Sequence, residues 1–304
     1  MTRPLNSLRL QRIIDLSLRR IISLPLLLGL FVLLQACSAV KIAYNQAPSL
    51  AFLYLDSYMD FTGVQSLQVK ADLARLEAWH RQTQLPAYIE LLQKTQPKLL
   101  QNITEKQACD IFSDVRQKAL ALTDYAEPAA LGMASTFTSR QLTAMERKFA
   151  KSNASWREEF LDGSTSDLID KRQKSAVKRG EMLYGSLSIQ QLGLVAAQIE
   201  KSRFNAAQSY AERQRRQKDI LQTLGKVVAN PQDQESARQG MRNLLARSVA
   251  SPDAAYRSYQ QRAIEDGCEN FAELHNTTTA DQRKKAVNVL AGYEQDFKVL
   301  AAQK

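Results

Sequence analysis

Histidine and cysteine are scarce in this 304-residue chain: two histidines, His80 and His275, and three cysteines, Cys37, Cys109 and Cys268. Neither type shows the close C-x-x-C or H-x-x-x-H spacing of a zinc site, so no metal is implied. Also missing are a glycine-rich phosphate loop and a G-x-S-x-G nucleophile turn, which removes the usual signs of a nucleotide cofactor or a serine hydrolase. Strict alternation of Val, Ile, Thr and aromatic residues is absent, and with it the signature of a half-buried strand. Ala, Leu, Gln, Arg, Lys and Glu dominate instead, with apolar residues three and four apart, the helical period. The predicted fold class is all-α, an elongated multi-helix bundle with one or more long helices behind a cleaved lipoprotein signal peptide.

The signal is legible at the N-terminus. Arg3, Arg9, Arg12, Arg19 and Arg20 precede an apolar run from Ile21 to Leu34, and Leu34-Gln35-Ala36-Cys37 closes it. Basic, apolar and small residues in that order make a secretory signal, and a cysteine directly after the small residue makes it a lipobox. Cys37 is then the lipidation site, carrying diacylglycerol on its thiol and an acyl chain on the amine freed by cleavage. The run of 14 residues falls short of the roughly 17–25 that span a bilayer. An uncleaved membrane helix extending through Val40 is the competing reading. It must accept Pro25, Gly29, Gln35 and Ser38 and leaves Cys37 unexplained. Arg19-Arg20 hints at twin-arginine export, but Ile21-Ile22-Ser23 lacks the usual following residues. The predicted organisation is a signal peptide over 1–36, a lipidated tether over 37–48 and a single helical periplasmic domain over 49–304. Ser38 in place of Asp after the cysteine favours an outer-membrane lipoprotein facing the periplasm over inner-membrane retention.

Cleavage changes the charge. Lys+Arg falls from 41 to 36 and Asp+Glu from 31 to 30, so the net charge drops from +10 to about +6. That surplus suits anionic headgroups or another acidic envelope polymer and falls short of a nucleic-acid footprint. Cys109 and Cys268 remain in a compartment where thiols oxidise. A disulfide between them is the simplest account, and two separately buried thiols are the alternative.

The start signal Ser/Thr-x-x-Gln recurs at Thr104/Gln107, Thr138/Gln141, Ser188/Gln191 and Thr279/Gln282, each before an amphipathic run. This is a capping box, in which the hydroxyl and the glutamine amide satisfy the helix's first orphan donors. After Pro48 a helix is predicted to end near Gly63, a second runs from Val64 to about Thr83, and Pro86 opens a third that Pro97 kinks or ends. The period continues from Ser188 towards Ala229, about 60 Å of helix at 1.5 Å per residue. Between Tyr210 and Ile220, however, AERQRRQKD has no large apolar residue and reads as an exposed strut or a break. Further helices are predicted near 233–249, 253–266 and 279–302, with Gly163–Ser166 the best place for any second-domain boundary.

Few residues suggest chemistry. Asp56 and Asp60 lie one helical turn apart beside Tyr54 and Tyr58, a pairing that serves acid and base roles or simply polar helix-end charge. His80 is a third candidate catalytic residue. Two basic stripes, Lys171/Arg172/Lys174/Lys178/Arg179 and Arg213/Arg215/Arg216/Lys218, read either as solvated helix faces or as docking sites for an anionic surface.

Four marks carry a resemblance: the lipobox, Tyr44-Asn45-Gln46-Ala47-Pro48 with Leu55-Asp56-Ser57-Tyr58-Met59-Asp60-Phe61, Trp79 through Pro86, and Cys268 with Leu274-His275-Asn276-Thr277-Thr278-Thr279. With them the chain resembles a family of Gram-negative lipoproteins known only as a domain of unknown function. The resemblance implies lipidation and a helical periplasmic domain, and brings no reaction or ligand. Leu187-Ser188-Ile189-Gln190-Gln191 and Ile103-Thr104-Glu105-Lys106-Gln107 are also similar to the Leu-Thr-x-x-Gln motif of helical periplasmic stress chaperones. The expected function is a non-enzymatic, lipid-anchored binding, scaffold or chaperone-like protein with an envelope protein or anionic polymer as partner, and no nucleic acid. The alternative is a peptidoglycan-acting hydrolase using Asp56, Asp60 or His80.

Overall fold

The structure, a computed structural model, describes residues 39–303, and all of its regular structure is helical. The lipobox and Cys37 lie outside the described residues. In chain order the helices are α1 Ala39–Met59, α2 Gly63–Trp79, a π-helical turn His80–Gln84, α3 Leu85–Thr95, a 3-10 turn Gln96–Leu100 and α4 Glu105–Ala134. Then come α5 Ser139–Phe160, α6 Thr165–Tyr184, α7 Ile189–Glu200, α8 Ala206–Ala229, α9 Gln234–Val249, α10 Ala254–Asn276 and α11 Ala280–Ala302. Residues 39–46 are the first turns of α1. From Ala47 onward the described residues make one compact unit, with no division at Gly163–Ser166, and everything below concerns that unit.

All four predicted capping boxes form, and a fifth, Thr62/Gln65, opens α2. Four of the five work in facing pairs. Gln141 Nε2 donates to Gln65 Oε1 at 2.8 Å and to the Met59 and Asp60 carbonyls, while Gln65 Nε2 donates to the Thr136 carbonyl at 2.9 Å. Gln191 and Gln282 repeat this between α7 and α11. A glutamine that caps its own helix therefore also ties the loop leading into the opposite one.

Two main cores result. Val69 of α2, Met133 near the end of α4, Met145 of α5, Leu224 of α8, and Met241 and Leu244 of α9 form one. Leu99 of the 3-10 turn, Tyr184 of α6, Val195 of α7, Leu274 of α10 and Ala286 of α11 form the other. Beside the second lies a small cluster of Ile103, Ala108, Cys268 and Ala272. Helix α4, 30 residues long and about 45 Å at 1.5 Å per residue, starts in that small cluster and ends in the first core. It is the long helix that joins them.

Three boundaries differ from expectation. Pro48 lies inside α1 and does not open it; Pro cannot donate the bond to residue 44, but Ala- and Leu-rich sequence on both sides carries the helix through. The long helix from Ser188 breaks at Lys201–Asn205, because Asn205 caps a new helix through Gln208 N at 2.9 Å and Ser202 Oγ accepts from Phe204 N at 3.2 Å. Helix α10 runs past 266 to Asn276, since the buried stripe of Cys268, Ala272 and Leu274 outweighs the roughly 1 kcal/mol cost of Gly267.

Candidate functional site

The polar stretch Ala211 to Asp219 is neither a bare strut nor a break. It is helical, and Glu212 within it is only 5% exposed. Both Glu212 oxygens are filled: Arg215 donates at 2.7 and 2.9 Å, Arg216 Nε at 2.7 Å and Ser251 Oγ at 3.0 Å. Burial pushes this carboxyl up, but the donors from Arg215, Arg216 and Ser251 and the Arg215 charge outweigh it and hold the group at about 2. Two turns on, Asp219 takes two hydrogen bonds from Arg247 of α9 at 2.8 and 2.7 Å and one from Arg215 at 3.3 Å. Those donors, the Arg247 bond foremost, lower it as well. The knot joins α8 to α9 and to the start of α10. It sets two carboxylates against Arg215, Arg216 and Arg247, and Arg213, which pairs with neither, stands beside it, so the four arginines carry a surplus of two positive charges.

That surplus faces a cleft. An open cleft of about 430 Å³ lies between α1, α5, α8 and α10, with a floor of Leu55, Met59, Met145, Phe149 and Ile220 and a rim of Tyr54, Tyr58, Tyr256, Arg213 and Arg216. The volume lies within the range of ligand-sized sites. Arg213 and Arg216, three residues apart, share one face of α8. Each is braced from behind: Arg213 Nε donates to Asn153 Oδ1 at 2.8 Å and its Nη2 to Ser152 Oγ, while Arg216 holds Glu212 through Nε. Arg213 Nη1 and both Nη atoms of Arg216 have no hydrogen-bond partner among the described residues. The Tyr54 and Tyr58 rings stand 5.2 Å apart, and Lys148 lies 5.2 Å over the Tyr58 ring. The neighbouring Tyr58 hydroxyl, then burial, raises the Tyr54 pKa, and the Arg213 charge opposes this. Fixed guanidinium groups above an aromatic and aliphatic floor suit a ligand with an anionic end and an apolar body.

The residues singled out for catalysis do not meet there. Asp56 Oδ1 accepts from Phe61 N at 3.0 Å, closing the turn after α1. Asp60 occupies a left-handed backbone conformation, φ 48°, and pairs with Arg140 of α5 at 3.3 Å. His80 sits in the π-helical turn, its ring 5.4 Å from Tyr88 of α3, which in turn lies 6.0 Å from Phe297 of α11, and burial lowers its pKa. The two aspartates therefore serve the turn that ends α1, where Asp60 N donates to the Asp56 carbonyl at 2.9 Å, and His80 serves a different part of the scaffold.

His275 is fully buried, with Nε2 2.8 Å from the Gln101 carbonyl and Nδ1 2.9 Å from the Tyr184 hydroxyl. A carbonyl only accepts, so Nε2 carries the proton and Nδ1 takes the tyrosine hydrogen. The next residue, Asn276, holds Ile103 by both N–H and C=O at 2.9 Å, and Arg283 reaches Asn102 at 2.5 Å. The Leu274–Thr279 segment thus fastens the loop before α4. Just beside it Cys109 and Cys268 form a disulfide, Cα atoms 5.2 Å apart. In the Trp79–Pro86 segment, Arg81 donates to the Leu300 carbonyl at 2.9 Å and anchors the end of α11.

Of the two basic stripes, Lys171, Lys174, Lys178 and Arg179 are exposed, while Arg172 lies 4.6 Å over the Phe204 ring and donates to Ser202. The α8 stripe forms the cleft. Its signal was present as arginines three residues apart directly after a glutamate, but no pattern in the sequence links α8 to the tyrosines of α1. Among the described residues no group of three or more His, Cys, Asp or Glu is placed to hold a metal ion, and no helix is long and apolar enough to cross a membrane.

No curated protein and no solved structure shows significant similarity to the chain. Residues 57–257 match a family of unknown function, DUF6279, and the chain belongs to that family.

Proposed function

We propose that this protein is an outer-membrane lipoprotein facing the periplasm, held by diacylglycerol and an N-acyl chain on Cys37, and that it works by binding an acidic envelope component. The observation that carries the binding reading is the pair Arg213 and Arg216. Among the described residues Arg213 meets no carboxylate and is held by Asn153 and Ser152, Arg216 gives only its Nε to Glu212, and both line a cleft with Tyr54, Tyr58 and Tyr256. Support for the location comes from the basic, apolar and small residues that end at Cys37, and from a Cys109–Cys268 pair suited to an oxidising compartment. A binding or scaffold role also accords with the structural contacts that occupy Asp56 and Asp60 and with the separate position of His80.

The test has two arms. Labelled palmitate should enter the wild-type protein and not Cys37→Ala, which should accumulate as uncleaved precursor; equal labelling of the two rejects the lipid anchor. A photo-crosslinking residue at Tyr54, 65% exposed, should capture a discrete envelope partner in cells, and changing Arg213 to Gln should weaken that capture. Capture indifferent to Arg213 rejects the cleft as the binding site.

A further inference from the structure

We infer that the cleft takes the phosphate head of a membrane lipid, with the first part of its apolar chain laid along Tyr58, Phe149 and Ile220. This rests on the acidic-partner reading above and narrows it.

Two arginines on one helix face supply more donors than a single carboxylate uses. One guanidinium satisfies a carboxylate in bidentate fashion, whereas a phosphate offers further oxygens to a second. The floor then decides the rest of the ligand. Leu55, Met59, Met145, Phe149 and Ile220 offer no hydrogen bonds, and methionines adapt to an irregular chain.

A peptide lying along the floor would need partners for its main chain, yet apart from the tyrosine hydroxyls at the rim the remaining polar groups of the lining are already engaged. Gln217 exchanges hydrogen bonds with Asn153 at 2.7 and 3.0 Å, and Ser209 Oγ donates to the Asn205 carbonyl at 2.9 Å. Sugar hydroxyls would meet the same lack. An apolar body makes no such demand, and burying an unpaired amide or hydroxyl carries a penalty that burying a methylene does not. The proposed tether also limits the search: 17 residues separate Cys37 from Tyr54, and with Ala39 onward helical at 1.5 Å per residue the chain reach from the lipidated residue is at most about 30 Å.

The experiment uses the protein extracted from its own membrane in a neutral, sugar-headed detergent. Dihexanoyl phosphatidic acid below its micelle concentration is titrated calorimetrically, beside dihexanoyl phosphatidylcholine, inorganic phosphate and a soluble polyglutamate peptide. The expected result is saturable binding of phosphatidic acid about tenfold tighter than phosphatidylcholine or phosphate, with a loss of about tenfold in Arg213→Gln. Because Arg213 also braces α5, Tyr54→Ala serves as the second variant: its side chain is exposed, so the fold should stand while lipid binding weakens several-fold.

Equal affinity for the two lipids, or for phosphate alone, overturns the inference. So does indifference to both variants. Binding of polyglutamate that depends on Arg213, without lipid binding, overturns the lipid assignment while sparing the acidic-partner reading. Failure of every anionic probe sinks both.

Discussion

Gln191 and Gln282, 91 residues apart, exchange amide hydrogen bonds in both directions, at 2.9 Å from Gln191 Nε2 to Gln282 Oε1 and 3.0 Å in return. Each amide also donates outward, Gln191 to the Thr277 carbonyl at 3.2 Å and Gln282 to the Ser186 carbonyl at 3.0 Å. Each carbonyl oxygen accepts from its own N-cap amide, Ser188 N at 2.9 Å and Thr279 N at 3.0 Å. Every donor and acceptor of both side chains is therefore used, which is why two amides can be placed together between packed helices.

This reciprocity sets the expected mutational pattern. Gln191→Ala strands the Gln282 amide and the Thr277 carbonyl and should cost about 1–3 kcal/mol in urea unfolding. The double variant Gln191→Ala/Gln282→Ala should cost less than the two singles together, by a coupling of about 0.5–3 kcal/mol. Strict additivity in this cycle would show that the pair acts as two independent caps.

The Cys109–Cys268 bond closes a sequence separation of 159 residues and joins α4 to α10. Cys109→Ser/Cys268→Ser should lower stability by about 2–4 kcal/mol. Alkylation without reductant should modify neither thiol in the wild type and both after unfolding in reductant. Ready labelling of the untreated protein would mean that the bridge is not formed.

The caps were legible in the sequence because they are local. A Ser/Thr-x-x-Gln sequence satisfies its own first turn whatever surrounds it, so Thr104, Thr138, Ser188 and Thr279 each mark a helix start. What Gln191 does with its second amide hydrogen is not local, and no spacing announces Gln282 across 91 residues. The Lys201–Asn205 break was hidden for a similar reason. Apolar period continues across it, and the interactions that end the helix come partly from Tyr259 of α10, whose hydroxyl accepts from Asn205 N at 3.1 Å. The cleft needed the tertiary structure outright, since its tyrosines come from α1 and α10 and its arginines from α8.

Acid should loosen the knot around Glu212. Its carboxyl titrates at about 2 in the folded protein, below the ordinary carboxylate value near 4.5. A depressed pKa favours the folded state above the unfolded value and loses that contribution as pH falls through the folded one. Glu212→Gln should therefore be less stable than wild type at pH 7, by about 1–3 kcal/mol, with the gap narrowing between about pH 4.5 and 2. Thermal melts of both proteins across this range give the comparison; a constant gap would remove Glu212 as its source.

The break between α7 and α8 depends on side chains that hold orphan amides, and each can be removed singly. Asn205 Oδ1 accepts from Gln208 N at 2.9 Å, and the Tyr259 hydroxyl accepts from Asn205 N at 3.1 Å. Asn205→Ala should cost about 0.5–2 kcal/mol, the usual worth of an N-cap. Tyr259→Phe keeps the ring against its neighbours and deletes only the acceptor, for about 1–2 kcal/mol. Because both losses fall on the first turn of α8, hydrogen exchange should accelerate at Gln208 in the first variant and at Asn205 in the second. The amides of Leu224, in the first core, and of Val227, also buried, should exchange as in wild type once the change in global stability is allowed for. Unchanged exchange at Gln208 in Asn205→Ala would mean that the break is set by chain geometry and not by its cap.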